Sequence, residues 1–545
     1  MSKRFAILAV AALAVAGSFL PASAALGAAG HTGPGNSSNQ SSNGQGNHGG
    51  SAKGGPSTIP GGFKHLVVIY EENHSFDNLY GGWGTVGGVA VRGTESVPQV
   101  AQDGTAYACL PQVDANLTSP PLSDTCRDAA HGITASHFDN NTFTIDDYIA
   151  PTDTTCPPAV AGTPYQPNGW LNGTGVAGGC TRDLVHRFYQ EQYQHDGGKM
   201  DRYTTGSDAV GLTQGQYDTT KLPIYQYLHS DGAPNYVLAD NFFQAAFGGS
   251  FLNHQWLIAA RTPLDTTATV ANSVLDANGM PNSYPQYTPT GPVADTRWTQ
   301  ACAGGGNDYA AACGNFAVNT IQPASAPHAG GAQLPLVDDA QYPNIGDRMS
   351  AAGISWNWYA GGWADAEAGH PGVNFQYHHQ PFNYFAAYAP GQPGRAHLQD
   401  ETAFIAAAQS GDLPTVSFVK PYGDENEHPG YASEPDGSDH LVDLIKTITD
   451  GPDAKDTLIV VTYDEFGGQA DHVAPPVVDK WGPGTRIPAL LISSKFSASS
   501  VDHTQYDTTS ILATIEKSYH LDALGTRDAA VNPLSAGIRL GLDGD

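Results

Sequence analysis

Two short segments combine oxygen-bearing side chains with the end of an apolar run. Glu72-Asn73 follows His65–Tyr70, and Asp464-Glu465 follows Asp456–Tyr463. Carboxylates and carboxamides are the ligands that a hard divalent cation takes. Both runs are rich in valine and isoleucine and are bounded as buried strands are. In an open α/β sheet, ligands bind beyond the carboxyl ends of strands. Two strands that spill acids from the same end therefore predict one metal site built from distant parts of the chain.

A third segment, Asp240 to Ser250, follows the apolar run Tyr236–Ala239 and leads into Leu257-Ile258-Ala259-Ala260. Gly248-Gly249 permits a tight strand-to-helix turn, which puts Ser250 at a helix N-terminus, where an anion is favoured. A serine in that place is ordinarily a helix cap. His186, His378, His379 and His428 sit near loops and are the remaining groups able to donate to a phosphate or move a proton.

These groups have to be held by a sheet. Further short apolar runs, at Ile354–Tyr359, Thr415–Val419 and Ile487–Ile492, alternate with helical spacing at Asp439–Thr449 and Thr508–Tyr519. That alternation predicts an α/β sandwich with a largely parallel sheet. Segments near 82–180 and 262–334, rich in Gly, Pro, Thr and Asn, read as loop-rich insertions able to wall a site. They hold the six cysteines. None forms a C-x-x-C pair, so disulfides are expected rather than thiolate zinc. Pairing of sequence neighbours (Cys109–Cys126, Cys156–Cys180, Cys302–Cys313) is the simplest of the connectivities open to them.

Lys3-Arg4, the apolar run Phe5–Leu20 and Ala22-Ser23-Ala24 read as a cleaved signal peptide over 1–24, giving a secreted or periplasmic protein. Residues 25–62, rich in Gly, Ser and Asn, read as a disordered leader. Residues 63–545 then form one catalytic domain with the two insertions. No later apolar run reaches membrane-spanning length, so no stable membrane anchor is expected. A net charge of −29 argues against nucleic acid as a partner, while local cations still permit a small phosphorylated substrate. Oligomeric state does not follow from these features.

Taken together, three motifs resemble the bacterial phosphoesterase family of acid phosphatases and phospholipases C, which has an alkaline-phosphatase-like core. They are Glu72-Asn73-x-Ser75-Phe76-Asp77, Gly-Gly-Ser250-x-x-Asn253, and Tyr463-Asp464-Glu465-x-Gly467-Gly468-x-x-Asp471-His472-Val473-x-Pro475-Pro476. Asp183-x-x-His186, Gly197-Gly198-Lys199-Met200-Asp201, Gly353-Ile354-Ser355-Trp356 and His378-His379-x-Pro381-Phe382 follow the family's order, and the resemblance spans roughly residues 63 to 520. It implies an alkaline-phosphatase-like α/β/α sandwich with disulfide-bearing insertions. It also implies a single metal held by Glu72, Asn73, Asp464 and Glu465 beside a nucleophilic Ser250, with a phosphoseryl intermediate. By the same resemblance Asn73, His186 and His379 bind phosphate, and His378 is an alternative to its neighbour. An oxygen-only set favours Ca²⁺ or Mg²⁺ and remains compatible with Zn²⁺. From chemistry alone, His428 is expected to protonate the leaving group, and Asp471 and His472 to orient the ligands.

Serine at position 250, where phospholipase C members have threonine, and His74, where they have arginine, favour a phosphomonoesterase. The Asp464-Glu465 pair is the phospholipase-like version and keeps a phospholipase C as the alternative. In a different class, Trp170, Trp298 and Trp363 in loops would suit a secreted carbohydrate- or surface-binding protein.

Overall fold

The structure is a computed structural model that describes residues 58–112, 122–149, 151–152, 182–268 and 271–543. The proposed signal peptide, nearly all of the leader, Cys156, Trp170 and Cys180 lie outside the described residues. Pro56–Asp545 forms one compact unit.

Eight strands make the central sheet: β1 (His65–Glu71), β2 (Asn235–Ala239), β3 (Trp356–Ala360), β4 (Leu398–Asp400), β5 (Val416–Lys420), β6 (Thr457–Tyr463), β7 (Ala489–Ser493) and β8 (Ser500–Asp502). Their order across the sheet is β4-β3-β5-β1-β6-β7-β2-β8. Only β7 runs against its neighbours. The largely parallel α/β sheet expected from the sequence is therefore present. The run Ile487–Ile492 proves to be the antiparallel member and starts at Ala489, because Pro488 has no amide proton to give a ladder.

β5, β6 and β7 are buried at every position, and β1 at every position after His65. Burial on consecutive residues means that both faces are covered, as in parallel sheets generally. The longer helices are α1 (Phe188–His195), α2 (Pro223–Leu228), α3 (Ser250–Ala259), α4 (Ile345–Ala351), α5 (Glu401–Ser410), α6 (Glu434–Thr449), α7 (Thr509–Tyr519) and α8 (Ser535–Asp543). Six of them form two packed groups, α2-α5-α6 and α3-α4-α7, and α8 packs on β2 and β8. α6 starts earlier than its periodicity predicts, because Ser433 caps it through Asp436 N and Pro435 occupies its first turn.

β1 and β6 are paired in parallel, with His65 opposite Thr457 and Glu71 opposite Tyr463. Glu72 and Asp464 thus leave the sheet side by side. Lys420 ends β5 on the other flank of β1, where Val419 pairs with Ile69. β2 points to the same edge and delivers the turn that carries Ser250.

Both insertions are loop-rich, with strands of only two to four residues. Disulfides Cys109–Cys126 and Cys302–Cys313 staple them, as sequence-neighbour pairing predicts. Leu110, Phe138, Ile145 and Ile149 of the first insertion make a small core of their own with Leu184 and Leu212.

The three segments leaving the sheet edge are tied by one guanidinium. Arg486, fully buried, donates through Nη2 to Asp77 Oδ1 (2.6 Å), through Nε to Asp471 (3.1 Å) and through Nη1 to the carbonyls of Arg92 (2.8 Å) and Asp240 (3.1 Å). Removing one partner of such a network leaves charges buried and unpaired. Arg486→Met is expected to lower unfolding free energy by about 3–5 kcal/mol in a urea titration. A loss under about 1 kcal/mol would show that the network does not anchor these segments.

Candidate active site

Ser250 is the first residue of α3, and the cap is Gly249, not the serine. Its hydroxyl is therefore free to face the sheet edge. Ser250 Oγ lies 3.2 Å from Glu72 Oε2, 3.3 Å from Glu465 Oε1 and 3.4 Å from Asn73 Oδ1. The sequence places these four residues on three separate segments, and the fold brings them around one oxygen. Asp464, the fifth member, accepts from Asn73 N (3.1 Å) and Glu465 N (2.8 Å) through Oδ1.

The turn before Ser250 is held tightly. Gly248 has φ +92°, and a Cβ there would meet Phe188 N at 2.7 Å. A Cβ on Gly249 would lie 2.9 Å from the His186 ring. The glycine pair thus lets the His186 loop press against the serine turn. Glu191 on α1 accepts from the amides of Gly248 (2.5 Å) and Thr485 (2.8 Å). Asn253 clasps Ala246 from both sides, at 2.9 and 3.1 Å. Asn73 itself has φ +62°, a left-handed conformation that Asn tolerates better than most residues. Gly467 packs on its carbonyl so closely that a Cβ would sit 2.1 Å away.

Glu72, Asp464 and Glu465 are sealed from solvent. Burial, then repulsion from Glu72, pushes Asp464 up to about 8. Burial, then Asp464, holds Glu465 well above the usual carboxylate range. Glu72 goes the other way. Burial raises it, but His379 and Lys420 more than offset this and bring it well below its ordinary value. Lys420 Nζ stands 2.5 Å from Glu72 Oε1 and also donates to the carbonyls of Tyr70 (2.9 Å) and Glu71 (3.1 Å).

The residues present fit a divalent cation. With all three carboxylates ionised, as a bound cation would hold them, they face one ammonium, and two negative charges are left for the cation to balance. Asp464 Oδ2 is buried and accepts no hydrogen bond, a cost that coordination would remove. A second ligand combination exists within the cluster, because one atom each from Glu72, His254 and His379 lie within 4.8 Å of one another.

The expected histidines converge unequally. His379 Nε2 lies 2.7 Å from Glu72 Oε1. His378 sits edge-on to the His379 ring at 4.7 Å, so of the pair it is His379 that reaches the carboxylates. His428 donates through Nδ1 to Pro429 O (2.8 Å) and turns Nε2 to Asn73 Nδ2 (2.8 Å). His186 donates through Nδ1 to Leu184 O (2.5 Å), with Nε2 3.4 Å from Glu465 Oε1. Asp471 and His472 act at one remove from where they were expected. Asp471 holds Arg486 and the Asp77 amide, and His472 Nδ1 lies 2.6 Å from Asp77 Oδ2. They brace the chain leaving β1 and do not touch the ligands. Trp298 and Trp363 are buried, which removes them as surface-binding aromatics.

Sequence reasoning missed Lys420, Glu191 and His254. Lys420 carried one signal, a lone lysine ending an otherwise apolar strand. Glu191 and His254 sit on helices with nothing in their spacing to set them apart. His254 bonds Ser250 O through Nδ1 (2.7 Å) and stacks on His379 at 5.3 Å.

The phosphoesterase family model matches residues 63–522, and the chain belongs to that family. It is similar to a non-hemolytic phospholipase C of Burkholderia pseudomallei, 27% identical over 35% of this chain and 31% of that protein. It is also similar to non-specific phospholipase C6 of Arabidopsis thaliana, 28% identical over 24% and 31%. Phospholipase C B of Mycobacterium tuberculosis is 23% identical over 66% of this chain and 64% of its own length. The matches thus cover about a third of the first two relatives and under two thirds of the third. A protein of the alkaline phosphatase superfamily from Vibrio parahaemolyticus aligns with 34% of this chain and 50% of that one, at 17% identity and a TM-score of 0.22.

If the carboxylate cluster holds an ion, Asp464→Asn should lower the divalent metal retained after gel filtration at least about tenfold in affinity, by plasma mass spectrometry across a chelator series. Retention equal to the parent would place the ion elsewhere.

Proposed function

We propose that this member of the phosphoesterase family is a secreted, metal-dependent phosphomonoesterase with Ser250 as nucleophile. The observation that carries this reading is the position of Ser250 Oγ, between 3.2 and 3.4 Å from oxygens of Glu72, Asn73 and Glu465. Glu72, Asn73, Asp464 and Glu465 would hold one divalent ion. Calcium or magnesium suits the all-oxygen set, and zinc becomes a fit if His254 and His379 join Glu72. When bound, such an ion polarises a phosphoryl oxygen and favours ionisation of a neighbouring hydroxyl.

The chain's own groups supply the rest. The Ser250 proton passes to Glu465, which its hydroxyl already faces at 3.3 Å, as Oγ bonds to phosphorus and the ester oxygen departs. The N-terminus of α3 favours the charge that develops there. Asn73 Nδ2, His186 Nε2 and His379 hold the phosphoryl oxygens. Lys420 fixes Glu72 and keeps it ionised. His428, whose Nε2 faces the site, gives its proton to the leaving oxygen. Burial holds this imidazole below its ordinary pKa, and an arriving phosphate dianion offsets that penalty. In the second half, water attacks the phosphoserine, His428 takes the water proton, and the serine recovers its own.

A phospholipase C is the second reading, favoured by the names of the relatives and by the Asp464-Glu465 pair. Export rests on the sequence of residues 1–24, and no described helix is long and apolar enough to cross a membrane.

Ser250→Ala is expected to reduce turnover of p-nitrophenyl phosphate at least about a thousandfold with an unchanged melting temperature, because the covalent route is lost. Retention of more than about a tenth of turnover would remove Ser250 from the nucleophile position. The parent enzyme should also prefer p-nitrophenyl phosphate to p-nitrophenyl phosphorylcholine by at least about tenfold in kcat/KM. The reverse preference would make this chain a phospholipase C.

A further inference from the structure

A cavity of about 220 Å³ opens beside the nucleophile turn, lined among others by His186 and Gly249. It adjoins the site through His186, which lines the cavity and places Nε2 3.4 Å from Glu465 Oε1. Its far wall comes from the second insertion, through Asp295, Thr296, Arg297 and Asn319, and its near wall includes Arg187. This wall is rigidly built. Arg187 donates to Thr296 O (3.1 Å), and Asn319 Nδ2 donates to the same carbonyl (2.7 Å). Asn319 Oδ1 accepts from Phe188 N at 3.2 Å, joining the insertion to the start of α1.

The charges of the cavity are unequal. Asp295 is paired with Arg187 (2.9 Å) and also accepts from Gln190 (3.0 Å). Arg297 is exposed, and its guanidinium makes no hydrogen bond or ion pair among the described residues. One carboxylate therefore meets two guanidiniums, and one cation is left over. No Phe, Tyr or Trp ring lines the cavity, and a quaternary ammonium group is ordinarily held by such rings.

We infer that this cavity takes the organic part of the substrate and that Arg297 selects a part bearing a second anionic group, a carboxylate or another phosphate, over a neutral or choline-bearing one. The inference rests on the phosphoesterase reading for its reaction but on the cavity alone for its binding preference. Guanidinium pairs with carboxylate or phosphate in a fork geometry, which gives this selection direction as well as charge. The volume suits a short group and not an acyl chain.

Two compounds of similar size isolate the effect: 3-phosphoglycerate, with a carboxylate, and glycerol 3-phosphate, with a hydroxymethyl group in its place. The metal-loaded enzyme is expected to favour 3-phosphoglycerate at least about tenfold in kcat/KM, and Arg297→Gln to bring the two within about twofold by lowering the first only. Calorimetric titration of both compounds into Ser250→Ala and into Ser250→Ala/Arg297→Gln reads binding without turnover. Loss of the preference on replacing Arg297 supports the inference in either assay. Equal affinity for the two compounds, tighter binding of phosphocholine, or a preference that survives Arg297→Gln overturns it. If neither compound, nor p-nitrophenyl phosphate, is hydrolysed while the binding preference is present and Arg297-dependent, the catalytic reading fails and the cavity assignment stands.

Discussion

Three carboxylates buried beside a single hydroxyl, at the end of two parallel strands, are the constraint around which the molecule is arranged. Charges removed from water repel strongly at low dielectric, so the three carboxylates stay ionised together only with counter-charge and fixed geometry. Lys420 supplies part of that charge from the neighbouring strand, pressed against Glu72 and two backbone carbonyls. The remainder is what a divalent ion would provide. The sheet sets where this happens, because the pairing of Glu71 with Tyr463 makes Glu72 and Asp464 emerge together.

From that edge outward, each layer exists to keep another in place. Glu191 and Asn253 grip the turn that presents Ser250. Gly248 and Gly249 let the His186 loop lie against it without steric conflict. Arg486 joins Asp77 and Asp471, so the chains leaving β1 and β6 cannot drift apart. Preorganisation of this kind lowers the reorganisation needed when charge moves in the reaction. The buried ionic bonds are thus better read as positioning than as net stabilisation, since a buried pair gains little over apolar packing.

Much of this was legible in the sequence, for a physical reason. Strands buried on both faces are continuous apolar runs, so β1 and β6 stood out, and the acids after them marked the edge. The glycine pair before Ser250 was equally plain. The helical position of Glu191 carries no such mark, because its importance lies in contacts with Gly248 and Thr485, far away in sequence. Asp471 and His472 were recognised as supporting residues, yet their partner is Asp77 and not a ligand. A motif tells which residues belong together; it does not tell which of them touch. The tryptophans illustrate the converse, since Trp298 and Trp363 fall in loop-like sequence but are buried in the fold.

The insertions show why family membership and substrate choice separate. The carboxylates, Lys420 and Ser250 all lie on or just beyond the sheet and α3, where the packing tolerates little change. The cavity wall is loop, stapled by Cys302–Cys313 and tied to α1 through Asn319. A core of strands and helices paired with a loop-built wall is an arrangement in which one reaction can serve different organic groups. Relatives named as phospholipases C and a chain with an arginine-lined cavity are then compatible within one family. If Arg297 selects the substrate as proposed, that choice rests on a residue outside every motif that carries the family resemblance.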